Sequence, residues 1–344
     1  MKKRYLSFAL VVALVAALAA MLGGTGSAAP SGTPKKVGLV SDVGKFNDKS
    51  FNQSALEGLN RARRTLRVQT RAVESRAASD YIPNLASLAR QGFDVAISVG
   101  FLLADGTNTV ARQFPNSRFA IIDYSVRDAP FTDASKNVTT PRNVRGLTFA
   151  TNENSYMIGC LAALMARRAG NRTISAVGGL SIPSVTIFIA AYRAGARKCV
   201  PGTNVLIGFS QDFVAQDKCK EIALNQISRG SQVVFQVAGG CGLGALDAAR
   251  ERGRWGIGVD KDQSNLGRHI LTSAVKRVDQ AVYLTAQAVK AGRFRGGVNA
   301  VFNLRNNGVA IGKISPRVPR AFVRRMNALK PQIMSGKIKP PKSL

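Results

Sequence analysis

The stretch VGLVSDVGKFNDKSFNQSALEGL, residues 37–59, decides the fold. Its apolar run Val37-Gly38-Leu39-Val40 ends in Ser41-Asp42, a polar loop follows, and the pattern then turns helical. That order spells a buried parallel strand, a loop at its carboxyl end and the first helix of an α/β unit. The loop gathers Asp42, Asn47, Asp48, Ser50, Phe51, Asn52 and Gln53 within residues 42–53. One ring among so many hydrogen-bonding groups suits a flat, polar, uncharged ligand better than it suits a core.

Working outward, the same alternation continues. Strands are expected at 68–73, 95–99, 119–122 and 144–149, with helices at 54–65, 81–91 and 107–113 and a polar loop at 128–142. A helix capped by Glu153-Asn154-Ser155 should run to about 169. Strands at 173–177, 205–209, 233–237 and 255–259 then alternate with helices at 185–197, 218–229 and 243–252. A strand at 270–275, a long helix at 278–291, short strands and a C-terminal helix at 317–334 complete the series. Strand, loop and helix repeated in this way imply parallel sheets covered on both faces. The chain of 344 residues exceeds one typical domain. The expectation is therefore an α/β protein of two Rossmann-like lobes with parallel sheets, joined by a hinge that the chain crosses several times. The first lobe is placed at 36–146, with part of 275–310 returning to it, the second at 147–272, and a C-terminal helix with a basic tail at 311–344.

Ahead of the first strand, Lys2, Lys3 and Arg4 precede an apolar run at 6–22 and the small residues Gly26-Ser27-Ala28-Ala29. This pattern reads as a secretory signal over 1–29, with a flexible lead at 30–35. The apolar run is short for a membrane span. The first cysteine is Cys160, so no lipid-bearing cysteine stands at the cleavage point. The expectation is a secreted or cell-envelope protein.

The net charge is +30, or 30 − 3 = +27 without the three leading cations. Arg61, Arg63, Arg64, Arg67 and Arg71 are dispersed along one helix, and further cations lie between 317 and 342. No basic stripe interleaved with aromatics and no zinc-finger spacing accompanies them. Attraction to an anionic envelope is therefore expected, and specific nucleic-acid binding is not.

Cys160, Cys199, Cys219 and Cys241, in an exported chain, favour disulfides over metal, and no C-x-x-C pair supports a zinc site. The pairing does not follow from spacing. Topology favours Cys219–Cys241, because both should lie at the carboxyl edge of neighbouring strands, which leaves Cys160–Cys199.

In open parallel sheets, ligands lie beyond the carboxyl ends of the strands. Asp42, Gly100, Asp123 and Asp260 stand at four such ends. A carboxylate accepts two hydrogen bonds from a vicinal diol and is left unpaired by a ligand without one. Each aspartate taken singly also fits a helix or turn cap. Phe51 and Phe213, both in polar loops, are the candidates to sandwich a nucleobase, at about 1–3 kcal/mol per stacked base.

Enzymatic readings fare worse. Gly240-Cys241-Gly242-Leu243-Gly244 follows a strand and Asp260 lies further on, but the spacing misses the dinucleotide fingerprint G-x-G-x-x-G. His269 is the sole histidine and no G-x-S-x-G elbow is present. A non-enzymatic receptor without cofactor or metal is expected. A ligand-binding sensor partnered with a membrane receptor stays open.

The opening motif resembles that of the basic membrane protein (BMP/PnrA-like) family of nucleoside-binding solute receptors. The likeness continues through Gly92-Phe93-Asp94-Val95, Phe119-Ala120-Ile121-Ile122-Asp123, Asn154-Ser155-Tyr156-Met157-Ile158-Gly159 and Val177-Gly178-Gly179. It extends over Gly239-Gly240-Cys241-Gly242-Leu243-Gly244, Gly256-Ile257-Gly258-Val259-Asp260-Lys261-Asp262-Gln263 and Thr272-Ser273-Ala274-Val275-Lys276. GKFNDKSFNQ and IGVDKDQ are the specific blocks. The resemblance covers about residues 37–308 and implies a fold like the type I periplasmic binding proteins. It implies that Phe51 and Phe213 clamp the base, with Phe209 or Phe188 as alternatives to Phe213, and that Asp123 and Asn52 lie beside it. Asp260 and Lys276 would hold the ribose, with the backbone of Gly239 and Gly240 near the sugar. Asp42, Asn47 and Asp48 would shape the first-lobe loop, Asp48 as a supporting or hinge residue. Lys45-Phe46 replaces glycine-rich sequence of relatives, which stiffens the loop or offers another ring. The implied partners are a nucleoside, purine favoured, and the permease and ATPase subunits of an ABC importer, with the receptor a monomer.

Overall fold

The computed structural model describes residues 33–133 and 141–344. The expected signal segment, the start of the lead and part of the 128–142 loop lie outside the described residues.

Two six-stranded sheets carry the chain. The first half supplies β1 (Lys36–Ser41), α1 (Phe51–Leu66), β2 (Gln69–Val73), α2 (Tyr81–Arg90), β3 (Val95–Val99), α3 (Ala104–Gln113), β4 (Phe119–Ile122) and β5 (Val144–Phe149). Then come α4 (Thr151–Arg168), β6 (Thr173–Gly178), α5 (Pro183–Cys199), β7 (Asn204–Phe209), α6 (Gln216–Ser228), β8 (Val233–Val237), α7 (Gly242–Glu251), β9 (Trp255–Asp260) and β10 (Ile270–Lys276). The last part holds α8 (Val278–Lys290), β11 (Val298–Phe302), β12 (Val309–Ile311), α9 (Arg320–Asn327) and α10 (Leu329–Met334).

The first sheet runs β11-β5-β4-β3-β1-β2 and the second β12-β10-β9-β8-β6-β7. All pairings are parallel except β12 against β10. Every residue of β3 and β8 is buried, as continuous apolar runs covered on both faces require. The chain passes between the sheets after β5, after β10 and again between β11 and β12.

Helix starts depart most from the sequence reading. α1 begins at Phe51, three residues earlier than expected, because Asp48 satisfies its free amides. One carboxylate oxygen accepts from the N–H groups of Ser50 and Gln53 at 2.9 and 3.0 Å, and the other from Asn52 at 2.9 Å. Phe51 and Asn52 therefore ride on the first turn of a helix, not in a loop. α4 likewise begins at Thr151, so Glu153, Asn154 and Ser155 do not cap it. Glu153 instead accepts from the Leu304 amide at 2.7 Å, and Asn154 donates to the carbonyls of Val275 and Ala310 at 3.0 and 2.8 Å. Those side chains tie the helix to the segments beside it. The C-terminal helix is split into α9 and α10.

The second sheet's helices are locked in pairs. A Cβ at Gly159 would stand 2.0 Å from the Tyr192 carbonyl oxygen, and one at Gly195 would stand 1.8 Å from that of Tyr156. Only glycine permits this approach of α4 and α5, and the Cys160–Cys199 disulfide joins the same two helices with Cα atoms 5.2 Å apart. Cys219–Cys241 joins α6 to the residue just ahead of α7, at 5.6 Å. The first sheet and its helices contain no cysteine.

Candidate functional site

A cavity opens where the carboxyl ends of β1, β3 and β4 converge with those of β8, β9 and β10, with about 580 Å³ of free space counted out to its mouth. Asp42, Asp48, Phe51, Asn52, Gly100 and Asp123 line it from the first half, and Phe213, Gly239, Asp260 and Lys276 from the second.

On the first wall, Asp42 accepts from the Gly44 amide at 2.9 Å and from Asn52 Nδ2 at 2.8 Å. Burial pushes its carboxyl up to about 6. Gly100 has φ 117°, and a Cβ there would lie 3.1 Å from Asp42 and 3.3 Å from the Phe51 ring, so glycine alone suits both the backbone and the space. Asn52 spends its amide nitrogen on Asp42, and its Oδ1 is buried without a partner. An orphan acceptor in a cavity wall is costly unless a ligand donor reaches it. Asp48 is raised by burial as well, although its oxygens are committed to the start of α1.

Asp123, just past β4, and Asp260, closing β9, both adopt left-handed backbone, with φ 66° and 63°. Non-glycine residues in that region carry strain, and such residues cluster at functional sites. The Lys276 ammonium pairs with Asp123 and lies 4.0 Å from Asp260. Only 3% of the Lys276 side chain is exposed. Two carboxylates offset the cost of burying this cation, and three rings add to them: Phe51 at 4.6 Å, Phe149 at 5.3 Å and Phe188 at 5.8 Å. Burial raises Asp123, opposed by Lys276. Burial likewise lifts Asp260 to about 6, against the Lys276 charge and a 2.7 Å bond from Ser50 Oγ.

Phe213 approaches from the loop after β7. Its carbonyl accepts the Cys241 amide at 2.9 Å, which fastens the loop to the disulfide-bonded turn. Gly179 leaves room for the ring, since a Cβ there would stand 2.3 Å from it. Neither Phe51 nor Phe213 is sunk in the core, and each packs partly against it.

The remaining expected residues are placed elsewhere. Asn47 is exposed and outside the lining, because the loop turns it to solvent while Asp48 faces inward. Gly240 also lies outside the lining. Phe46 presents no ring to the cavity: it is buried in the core, with its amide held by Glu74 at 2.8 Å. Phe188 shares the lining with Phe213, and Phe209 does not enter it. The sequence reading missed Phe101, Ile182, Ser184 and Val185. Their signal was position, since they follow the ends of β3 and β6, where lining residues are expected. Among the described residues, no group of histidine, cysteine and acidic side chains is arranged to hold a metal. No helix among them is long and apolar enough to cross a membrane.

Comparison with known proteins gives this geometry a context. The profile of the family described as Bmp, ABC transporter substrate-binding protein PnrA-like, matches residues 35–343. The ABC transporter nucleoside-binding protein BmpA of Lactococcus lactis is 34% identical over 91% of this chain and 92% of its own length. The CD4+ T-cell-stimulating antigen of Listeria innocua is 30% identical over 99% of both chains. A crystal structure of an ABC transporter solute-binding protein from Aeropyrum pernix superposes with a TM-score of 0.79 at 26% identity, covering 90% of this chain and 94% of that one.

Proposed function

The chain belongs to the PnrA-like family of ABC transporter substrate-binding proteins, and on that premise we propose that its ligand is a nucleoside, with purines favoured. Such proteins bind a solute and hand it to an importer; the family is not one of enzymes. One observation carries the choice of solute. Phe51 and Phe213 come to one cavity from opposite halves, and hydrogen-bonding groups surround the space between them.

A heterocycle between the rings gains stacking on both faces. Asn52 Oδ1, buried without a partner, offers an acceptor to a ring or exocyclic N–H. Asp260 and Lys276 suit the ribose, the acid accepting from the 2′- and 3′-hydroxyls and the ammonium donating. The Gly239 backbone lies on the same side. Asp48 supports the Phe51 turn rather than touching ligand. Asn47 has no part in this grip. The nucleoside specificity named for the Lactococcus relative agrees with this reading. The receptor acts as a monomer, exported to the envelope, and delivers to a permease and ATPase.

Thermal melts with adenosine, guanosine and inosine test this. The melting temperature should climb with nucleoside concentration as mass action requires. If none of the three moves it while another solute does, the ligand class is wrong. Asp260→Asn should erase discrimination between ribo- and deoxyribonucleosides, and equal binding of both by the unaltered protein would refute the role given to Asp260.

A further inference from the structure

The two sequence blocks GKFNDKSFNQ and IGVDKDQ meet across the boundary between the sheets, and a buried chain of amides joins them. The Ala238 amide donates to Gln236 Oε1 at 3.1 Å, and Gln236 Nε2 donates to Gln263 Oε1 at 2.9 Å. Gln263 Oε1 also receives the Val259 amide at 3.1 Å, and Gln263 Nε2 donates across the boundary to the Lys49 carbonyl at 3.1 Å. Beside that crossing, Ser50 Oγ reaches Asp260 at 2.7 Å. The relay begins on a backbone N–H and ends on a backbone carbonyl, so the orientation of both side-chain amides is fixed.

Its two ends matter. Ala238 precedes Gly239 in the cavity wall, and Lys49 precedes the Ser50-Phe51 turn. Lys49 holds φ 53°, a left-handed turn for a side-chain-bearing residue. Gln236 is 0% and Gln263 2% exposed, so the amides work without competing water. Two glycines exist to seat them. A Cβ at Gly242 would stand 1.9 Å from Gln236 Oε1, and one at Gly258 would stand 2.6 Å from Gln263 Oε1. Gly242, one of the glycines that mimic a dinucleotide motif in the sequence, thus makes room for Gln236.

We propose that Gln263 is a positioning residue that couples ligand capture to closure: its amide clasps the turn bearing Phe51 to the wall bearing Gly239 and Asp260, so the closed state outlasts the encounter. Parting the lobes breaks the Gln263–Lys49 bond and wets two buried glutamines. This rests on the cavity being the nucleoside site.

The test compares wild type, Gln263→Met and Gln236→Met by stopped-flow binding of guanosine, adenosine and inosine, with small-angle X-ray scattering with and without nucleoside. Methionine keeps the volume and removes the amide. Gln263→Met should speed dissociation roughly tenfold, the scale of one lost net hydrogen bond, while association stays within about twofold. Its contraction on adding ligand should shrink. Gln236→Met, one link further back, should give a smaller change in the same sense. Should Gln263→Met fail to fold, Ser50→Ala replaces it, with faster dissociation expected again. Unchanged dissociation and contraction in the variants, with only the melting temperature lowered, would overturn the proposal by showing mere core packing. A wild type that binds none of the nucleosides refutes the ligand reading instead, and the ligand-free scattering then decides the clasp: a variant no more open than wild type refutes it.

Discussion

In the first sheet β5 lies between β4 and β11 and ends on Phe149, while in the second β10 occupies the same place between β9 and β12 and ends on Lys276. The neighbouring strand ends match more closely, with left-handed Asp123 after β4 and left-handed Asp260 closing β9. Backbone is repeated between the halves where side-chain chemistry is not. A ring on one side and an ammonium on the other let a single buried cation serve both acids. The bridges are divided just as unevenly, both lying among the second sheet's helices.

Lys276→Met should separate the two halves most. It strands two buried carboxylates, so urea unfolding at pH 7 should lose about 3–5 kcal/mol, and less at pH 5, where the acids protonate. Phe149→Leu at the matching strand end should cost below about 1.5 kcal/mol. Equal losses would mean that the ammonium has no special place.

Reduction of the disulfides comes next, at roughly 3 kcal/mol per bridge from the loops they close. Hydrogen exchange followed after reduction should quicken in α4 to α7 and leave β1 to β4 protected. Uniform loss of protection would show that the bridges stabilise both halves alike.

Phe51→Ala and Phe213→Ala test whether the two halves contribute alike to the grip. Each should weaken guanosine by about 1–3 kcal/mol in calorimetry. A loss confined to one ring would assign stacking to that half alone.

The last expected effect is that of pH. Asp42, on the first half, and Asp260, on the second, hold protons more tightly folded than unfolded, with values near 6 against the ordinary 3.8. Between about pH 6 and 4 the folded chain therefore binds more protons, and the contribution of these acids to ligand-free stability rises as pH falls. Asp42→Asn should flatten its share of that rise in thermal melts, and Asp260→Asn its own. Nucleoside affinity should weaken over the same window, because a protonated acid accepts fewer hydrogen bonds.

Much of this was legible in the residues. Continuous apolar runs such as Val95–Val99 and Val233–Val237 marked strands to the residue, since burial on both faces leaves little ambiguity. Helix starts were legible at Tyr81 and Val278 but not at α1 or α4, because the partner that satisfies the free amides can lie upstream of the apparent start, as Asp48 does for α1. Strand-end aspartates announced the cavity, since the carboxyl edge of a parallel sheet is known in advance. The direction of a loop side chain was beyond reach: Asn47 and Asp48 look alike in sequence, yet one faces water and the other the cavity. Nor could spacing show that Gln236 and Gln263 touch, because their contact depends on how β8 and β9 align.

The three passages between the sheets leave from β5, β10 and β11, and each of these is an edge strand or its neighbour: β5 lies beside the edge strand β11, and β10 beside the edge strand β12. Such a gathered set of tethers behaves as a door hinge: swing about one line is easy, and twist is resisted. Phe149 and Lys276, at the ends of β5 and β10, sit beside that line, so a swing about it would scarcely move them. Phe213, after the far-edge strand β7, would sweep the widest arc in such a swing, which would make its ring the last part of the door to shut.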